Sequence, residues 1–222
     1  GTMLWGISGT VAQFLFQNKG FSPEWLVVIR LLSSGTILLL YGYISSDNDI
    51  KIIWKSKNNR ISLFLFSILG MLGVQYTYFA AISHGNAATA TILQYLSPVI
   101  ITCYLIVKNK KLPTLKQMFA IILAMVGTFF VITRGNIHSL SLSKLALFWG
   151  ISSAICSAIY TLQPISLLKQ FSSTAVVGWG MLIGGLFFSF IHSPFKFVGT
   201  WSFSSVLSLI FVIIFGTVIA FY

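Results

Sequence analysis

The chain has 222 residues, of which 56% are hydrophobic and 8% charged, against roughly 25% charged in an ordinary soluble domain, and that balance excludes a water-soluble globular fold. The formal net charge is +11, yet the basic residues cluster between apolar runs, where charge meets lipid head groups before it meets nucleic acid. The three acidic residues, Glu24, Asp47 and Asp49, lie outside those runs, which excludes chemistry needing paired carboxylates inside a membrane.

Runs of about 20 apolar residues suit helices that cross a bilayer, whereas a membrane barrel needs alternating segments of about 10 residues. The first span, Met3–Gln17, is short and opens on Trp5-Gly6-Ile7-Ser8. No basic stretch or small-residue cleavage pattern marks a signal peptide. The second span, Trp25–Ile44, follows Phe21-Ser22 and carries Arg30 and Gly35. Arg30 lies a turn and a half inside, where its stem allows snorkelling toward the outer interface near Glu24 or pairing of helices; an anion contact in an outer vestibule is the alternative.

The third span, Ile61–Ser83, contains Gly73, Gln75, Tyr76 and Tyr78. Gln75, Tyr76 and Tyr78 are candidates for a pathway wall, although a tyrosine at a membrane boundary equally serves as an interface anchor. Along the fourth span, Ala87–Val107, the residues Thr91, Gln94, Tyr95, Pro98 and Thr102 share one broad helical face. Pro98 frees a carbonyl near residue 94, and such a group is tolerated in a membrane only inside protein or beside a water-filled cavity. The competing reading is that the threonines bond their own helix and Pro98 only kinks it.

The fifth span is Gln117–Thr133, and the sixth is Leu145–Ile165. Trp149, Ser153, Cys156, Tyr160 and Gln163 recur in the sixth at steps of four, three, four and three, matching a stripe of Trp5, Gly9, Ala12 and Phe16 in the first. Small residues in such stripes indicate close helix packing; Trp149, Tyr160 and Gln163 are the pathway candidates. The seventh span, Ala175–Ile191, follows Phe171-Ser172 and carries Gly185, and the eighth, Val206–Tyr222, carries Gly216 and runs to the last residue.

Lys51, Lys55, Lys57 and Arg60 precede the third span, and Lys108, Lys110, Lys111 and Lys116 precede the fifth. The loops on the other side hold only Lys19, Arg134, Lys144 and Lys196. The positive-inside rule places the richer loops and the start of the chain in the cytoplasm. The tetrapeptide at Trp5 returns at Trp149 after five spans, so the copies enter the membrane from opposite faces. Phe21-Ser22 and Gly35 return at Phe171-Ser172 and Gly185, both offset by 150, and Gly73 returns at Gly216. A repeat with an odd number of spans is an inverted repeat, which lets two halves rock about a midplane site.

The stretches LWGISG, FSPEWLVVIRLL with Arg30 early in span two, and GVQYTYFAAISHGNAATATILQYLSPVI resemble the EamA family of the drug/metabolite transporter superfamily. The resemblance covers essentially the whole chain. It implies an all-α membrane protein of ten helices in two five-helix units, here a first repeat at 1–134 and an incomplete second at 144–222, about eight helices in all, truncated in helix eight. Lys108-Asn109-Lys110-Lys111 departs from the Gly-Glu or Lys-Glu pair common in the family at the end of helix four.

The expected function is secondary transport of a small polar or zwitterionic, amino-acid-like metabolite by alternating access, in a multi-pass protein of the cell membrane. Export of lipophilic cations is disfavoured because a buried carboxylate that could hold proton and cation in turn is lacking. A membrane scaffold or an intramembrane enzyme is the alternative, but neither H-E-x-x-H nor paired carboxylates occur in the spans. No G-x-x-x-x-G-K-[ST] arrangement supports ATP drive. His84, His138 and His192 stand at span ends without an i+4 partner, so no metal is expected, and Cys103 and Cys156 imply no disulfide. The expected substrate contacts are Gln75, Tyr78, Thr91, Gln94, Tyr95, Trp149, Tyr160 and Gln163, with Pro98 and Arg30 structural. No cofactor and no nucleic acid are expected; the partners are the substrate and the lipid bilayer, with a homodimer compatible.

Overall fold

The computed structural model describes residues 2–110, 114–133 and 143–221; Lys111, Arg134 and His138 lie outside the described residues. Every expected span is a helix: α1 Thr2–Lys19, α2 Pro23–Ile44, α3 Lys57–His84, α4 Ala87–Asn109, α5 Leu115–Thr133, α6 Lys144–Leu168, α7 Ser173–Ile191 and α8 Phe203–Val218. No strand occurs among the described residues. Helices α2, α3, α4, α6 and α7 are each long and apolar enough to cross a membrane. The protein is an all-α membrane fold.

The Phe-Ser echo has a local cause. Ser22 and Ser172 are N-caps, their hydroxyls accepting from the Trp25 and Ala175 amides at 3.2 Å each, and a serine there satisfies one of the otherwise unpaired first-turn N–H groups. The start of α7 is further tied to the loop after α2. Asp49 accepts from the Ser172 amide at 2.8 Å and Asp47 from the Ser172 hydroxyl at 2.5 Å, carboxylates placed where the helix dipole favours negative charge.

Helices α2 and α7 pack through their glycines. A Cβ on Gly35 would stand 2.7 Å from the Leu182 nitrogen, and one on Gly185 would stand 3.0 Å from the Leu32 nitrogen. The two contacts are reciprocal, since Leu32 and Leu182 are themselves 150 residues apart. Residue numbers rise along one helix as they fall along the other, so α2 and α7 run antiparallel. Helices α1 and α6 also run in opposite senses: Gln17 near the end of α1 donates to the Gly85 carbonyl at 3.0 Å, while Ser143 at the start of α6 donates to the His84 carbonyl at 2.9 Å.

Two helices depart from α-helical winding. α3 contains a π-helical stretch at Phe66–Leu72, and α8 contains one at Ile214–Val218. A glycine at each lets a neighbour approach closely. Gly73 faces the Cys156 sulfur of α6, 3.1 Å from where a Cβ would be, and Gly216 is packed directly on Ser8 of α1. α4 is interrupted at Tyr95 and Leu96, and Pro98 sits one residue into its second half, where the missing proline N–H does least damage. Thr102 bonds the Pro98 carbonyl of its own helix at 2.8 Å and is half-buried.

Candidate functional site

A cavity of about 200 Å³ lies between α1, α2, α3, α4 and α6. It is small beside the roughly 300–1,000 Å³ of drug-sized pockets. Of the eight substrate contacts expected from sequence, it brings together five: Gln75, Tyr78, Thr91, Gln94 and Tyr95. α4 supplies three of these, Thr91 and Gln94 from its first half and Tyr95 from the interruption.

The polar groups form short chains with unused ends. Thr91 donates to the Ala87 carbonyl of its own helix at 2.7 Å and lies 2.8 Å from the Tyr78 hydroxyl; with its one proton committed, Thr91 accepts and Tyr78 donates. Gly9 makes room for that tyrosine, since a Cβ there would stand 2.5 Å from its oxygen. Gln94 donates to the Ser153 hydroxyl of α6 at 3.0 Å, so it bonds a neighbouring helix as well as bordering the cavity, and its amide oxygen remains to accept. Gln75 is 6% exposed and borders the cavity, its side chain making no hydrogen bond to any described residue.

The other three expected contacts lie elsewhere. Trp149 packs edge-on against Tyr76 with ring centroids 5.3 Å apart. Tyr160 tilts over Phe66 at 5.5 Å, and Gln163 donates to the Ser62 carbonyl at 2.7 Å and the Ser62 hydroxyl at 3.1 Å. The stripe on α6 is thus largely a face turned toward α3.

Of the two structural roles expected of it, Arg30 takes helix pairing and not snorkelling. It borders the cavity and is 3% exposed. Its Nε donates to the Thr217 hydroxyl at 2.5 Å and an Nη donates to the Gly216 carbonyl at 2.8 Å, both in the π-helical stretch of α8. The guanidinium also lies over the Phe79 ring, 5.0 Å from its centroid, a favourable cation–π placement. The side chain turns inward because α8 offers it acceptors there; the separation of the partners, about 185 positions along the chain, hides this from local sequence.

Ser8 is a second residue missed as a site member. It borders the cavity, is 2% exposed, and its hydroxyl has no hydrogen-bond partner among the described residues. The signal was its place in the repeated tetrapeptide. Among the described residues no three His, Cys, Asp or Glu side chains gather as a metal site would require.

Comparison with known proteins gives concordant matches. The model of the EamA-like transporter family matches residues 1–133. A Salmonella typhimurium protein described as an uncharacterized inner membrane transporter, YicL, is 38% identical over 223 residues, covering 99% of this chain and 73% of its own length. The Bacillus subtilis protein YyaM, described as an uncharacterized transporter, is 24% identical over 135 residues, 59% of this chain and 43% of that protein. A crystal structure 16% identical in sequence superposes with a TM-score of 0.65, covering 100% of this chain and 76% of that one, which shows a shared fold alone.

Proposed function

This chain belongs to the EamA-like transporter family, and from that premise we propose that it moves a small polar or zwitterionic metabolite across the cell membrane by alternating access. The observation that carries the reading is the cavity itself. A helix bundle in lipid pairs most of its buried polar groups internally, whereas this cavity is bordered by the Ser8 hydroxyl, buried without a partner among the described residues, and by Gln75, whose side chain makes no hydrogen bond to a described residue. A ligand with donors and acceptors would complete them.

Alternating access needs two similar halves. The repeat 1–134 and 144–222 is supported by the reciprocal approach of Gly35 and Gly185, by matching serine caps at Ser22 and Ser172, and by π-helical stretches in both α3 and α8. The cytoplasmic start of the chain rests on its basic loops. Cysteines at Lys57 and Ser139, exposed to an impermeant thiol reagent on intact cells, should react only at 139; reaction at 57 alone reverses the orientation.

The transport reading is tested by reconstituting the protein and offering radiolabelled amino acids, amines and nucleosides with and without a pH gradient. Saturable uptake of at least one compound above protein-free vesicles is expected. A folded protein that transports none of them counts against the reading.

A further inference from the structure

We propose that Arg30 and Ser8 together form a carboxylate-binding subsite in this cavity, so that the substrate is a small monocarboxylate, amino acids included. This rests on the transport reading for its purpose and on the structure for its chemistry. Arg30 lies seven residues beyond the first residue of α2, about 10 Å along the axis at 1.5 Å per residue. Charged side chains at such depth are costly and are almost always paired with an opposite charge or with backbone carbonyls, and they mark substrate pathways.

The chain has three carboxylate side chains in all, and none is available to Arg30. Asp47 and Asp49 hold Ser172, and Glu24 accepts from the Tyr76 hydroxyl at 3.5 Å. The groups that do hold Arg30 are neutral. Thr217 spends its own proton on the Val212 carbonyl at 2.9 Å and so offers Arg30 a lone pair, and Gly216 offers a carbonyl. These take two of the five guanidinium N–H groups. Both protons on the remaining nitrogen find no acceptor among the described residues, and the side chain borders the cavity.

Ser8 supplies the second, independent element. Its hydroxyl is buried without a partner among the described residues and is packed on Gly216, the residue whose carbonyl Arg30 holds. An unused hydroxyl donor and an unused guanidinium edge therefore belong to two residues that both border the cavity and both meet Gly216. A planar carboxylate matches the fork of an arginine in two parallel hydrogen bonds and has lone pairs left for the serine. A single positive charge balances a single negative one, which favours a carboxylate over a doubly charged phosphate. Amine substrates without a carboxylate are disfavoured because their cation would enter beside Arg30.

The full chain, purified in detergent, is offered alanine, leucine, phenylalanine, lactate and pyruvate, each beside its carboxamide, with inorganic phosphate and chloride as further probes. Thermal stabilisation and proteoliposome uptake are both read. At least one acid should stabilise the protein and be taken up, with its carboxamide weaker by roughly 10- to 100-fold, the range for losing hydrogen bonds to a charged group. Arg30→Gln should erase that acid-over-amide preference while leaving weak carboxamide binding, and Ser8→Ala should reduce it by less. Equal response to acid and amide, no response to any acid, or stabilisation by phosphate or chloride alone overturns the subsite. If Arg30→Gln does not fold, the wild-type acid and amide pairs and Ser8→Ala still decide. Acids that stabilise without uptake would leave the subsite standing and count against transport, while uptake indifferent to the carboxylate would do the reverse.

Discussion

The α2–α7 seam and the α1–α3–α4 cleft are built from the same kinds of residue and solve opposite problems. In the seam, glycines remove side-chain volume so that backbone meets backbone, with Gly35 against Leu182 and Gly185 against Leu32, and close approach of this sort is what binds helices in lipid. In the cleft, Gly9 removes volume so that a polar group can enter, the Tyr78 hydroxyl. Gly6 has nothing within 4 Å of its missing Cβ. One region is closed by its small residues and the other is opened by them; under the proposed function the first is the fixed part of the molecule and the second the part that receives a ligand.

The largest effect should follow from filling the seam. Gly35→Leu puts a branched side chain where even a Cβ meets backbone atoms at 2.7 and 3.1 Å, so neither helix can yield by rotating a side chain. Overpacking costs typically 1–3 kcal/mol and sometimes more, and the seam is one of the extensive contacts that tie α7 to the helices before it, so little folded protein is expected. Gly6→Ala in the cleft should leave the amount of folded protein near normal. Gel filtration of both variants with a fluorescent fusion checks the contrast, and a monodisperse Gly35→Leu protein at wild-type yield would remove the seam from its place as the fixed element.

Much of the seam was legible in sequence and less of the cleft. Apolar runs locate all eight helices because hydrocarbon depth dictates their length, and Gly35 with Gly185, Ser22 with Ser172, stood out through their common offset. The face of α4 bearing Thr91, Gln94 and Tyr95 was legible because periodicity groups residues on one side of a helix. Periodicity does not say what a face meets. Trp149, Tyr160 and Gln163 share a face, as their spacing implies, and it meets Tyr76, Phe66 and Ser62 of α3. The position of Arg30 depends on carbonyl and hydroxyl groups of a π-helical stretch in α8, a long-range arrangement with no local sequence signature.

A smaller effect is expected inside the cleft at Gln94. Its amide bridges to Ser153 at 3.0 Å and also borders the cavity, so it belongs to both packing and binding. Gln94→Leu removes both roles, and Ser153→Ala removes only the bridge. Leaving a substrate polar group unpaired costs roughly 1–3 kcal/mol, so Gln94→Leu should weaken apparent substrate affinity by about 5- to 150-fold at similar abundance. Ser153→Ala should cost only a few-fold. Equal losses in the two variants would show that the amide acts through α6, and the cleft would then be defined by Arg30, Gln75 and Tyr78 without it.

The smallest effect should come from the other glutamine. Gln163 resembles Gln94 in chemistry and in depth of burial, and its two hydrogen bonds to Ser62 are, on geometry, the stronger set. It borders no part of the cavity, and its amide oxygen is buried without a partner among the described residues, so replacing it also removes an unpaired acceptor. Interhelical hydrogen bonds in membranes average about 0.6 kcal/mol, and relief of that acceptor offsets part of the loss. Gln163→Leu should therefore shift the melting temperature slightly and leave apparent substrate affinity within about 2-fold of wild type. The measurement is concentration-dependent uptake for Gln94→Leu and Gln163→Leu side by side. A loss at 163 as large as that at 94 would mean that substrate passes along the α6 stripe, and that the cavity beside α4 is only one station on a longer path.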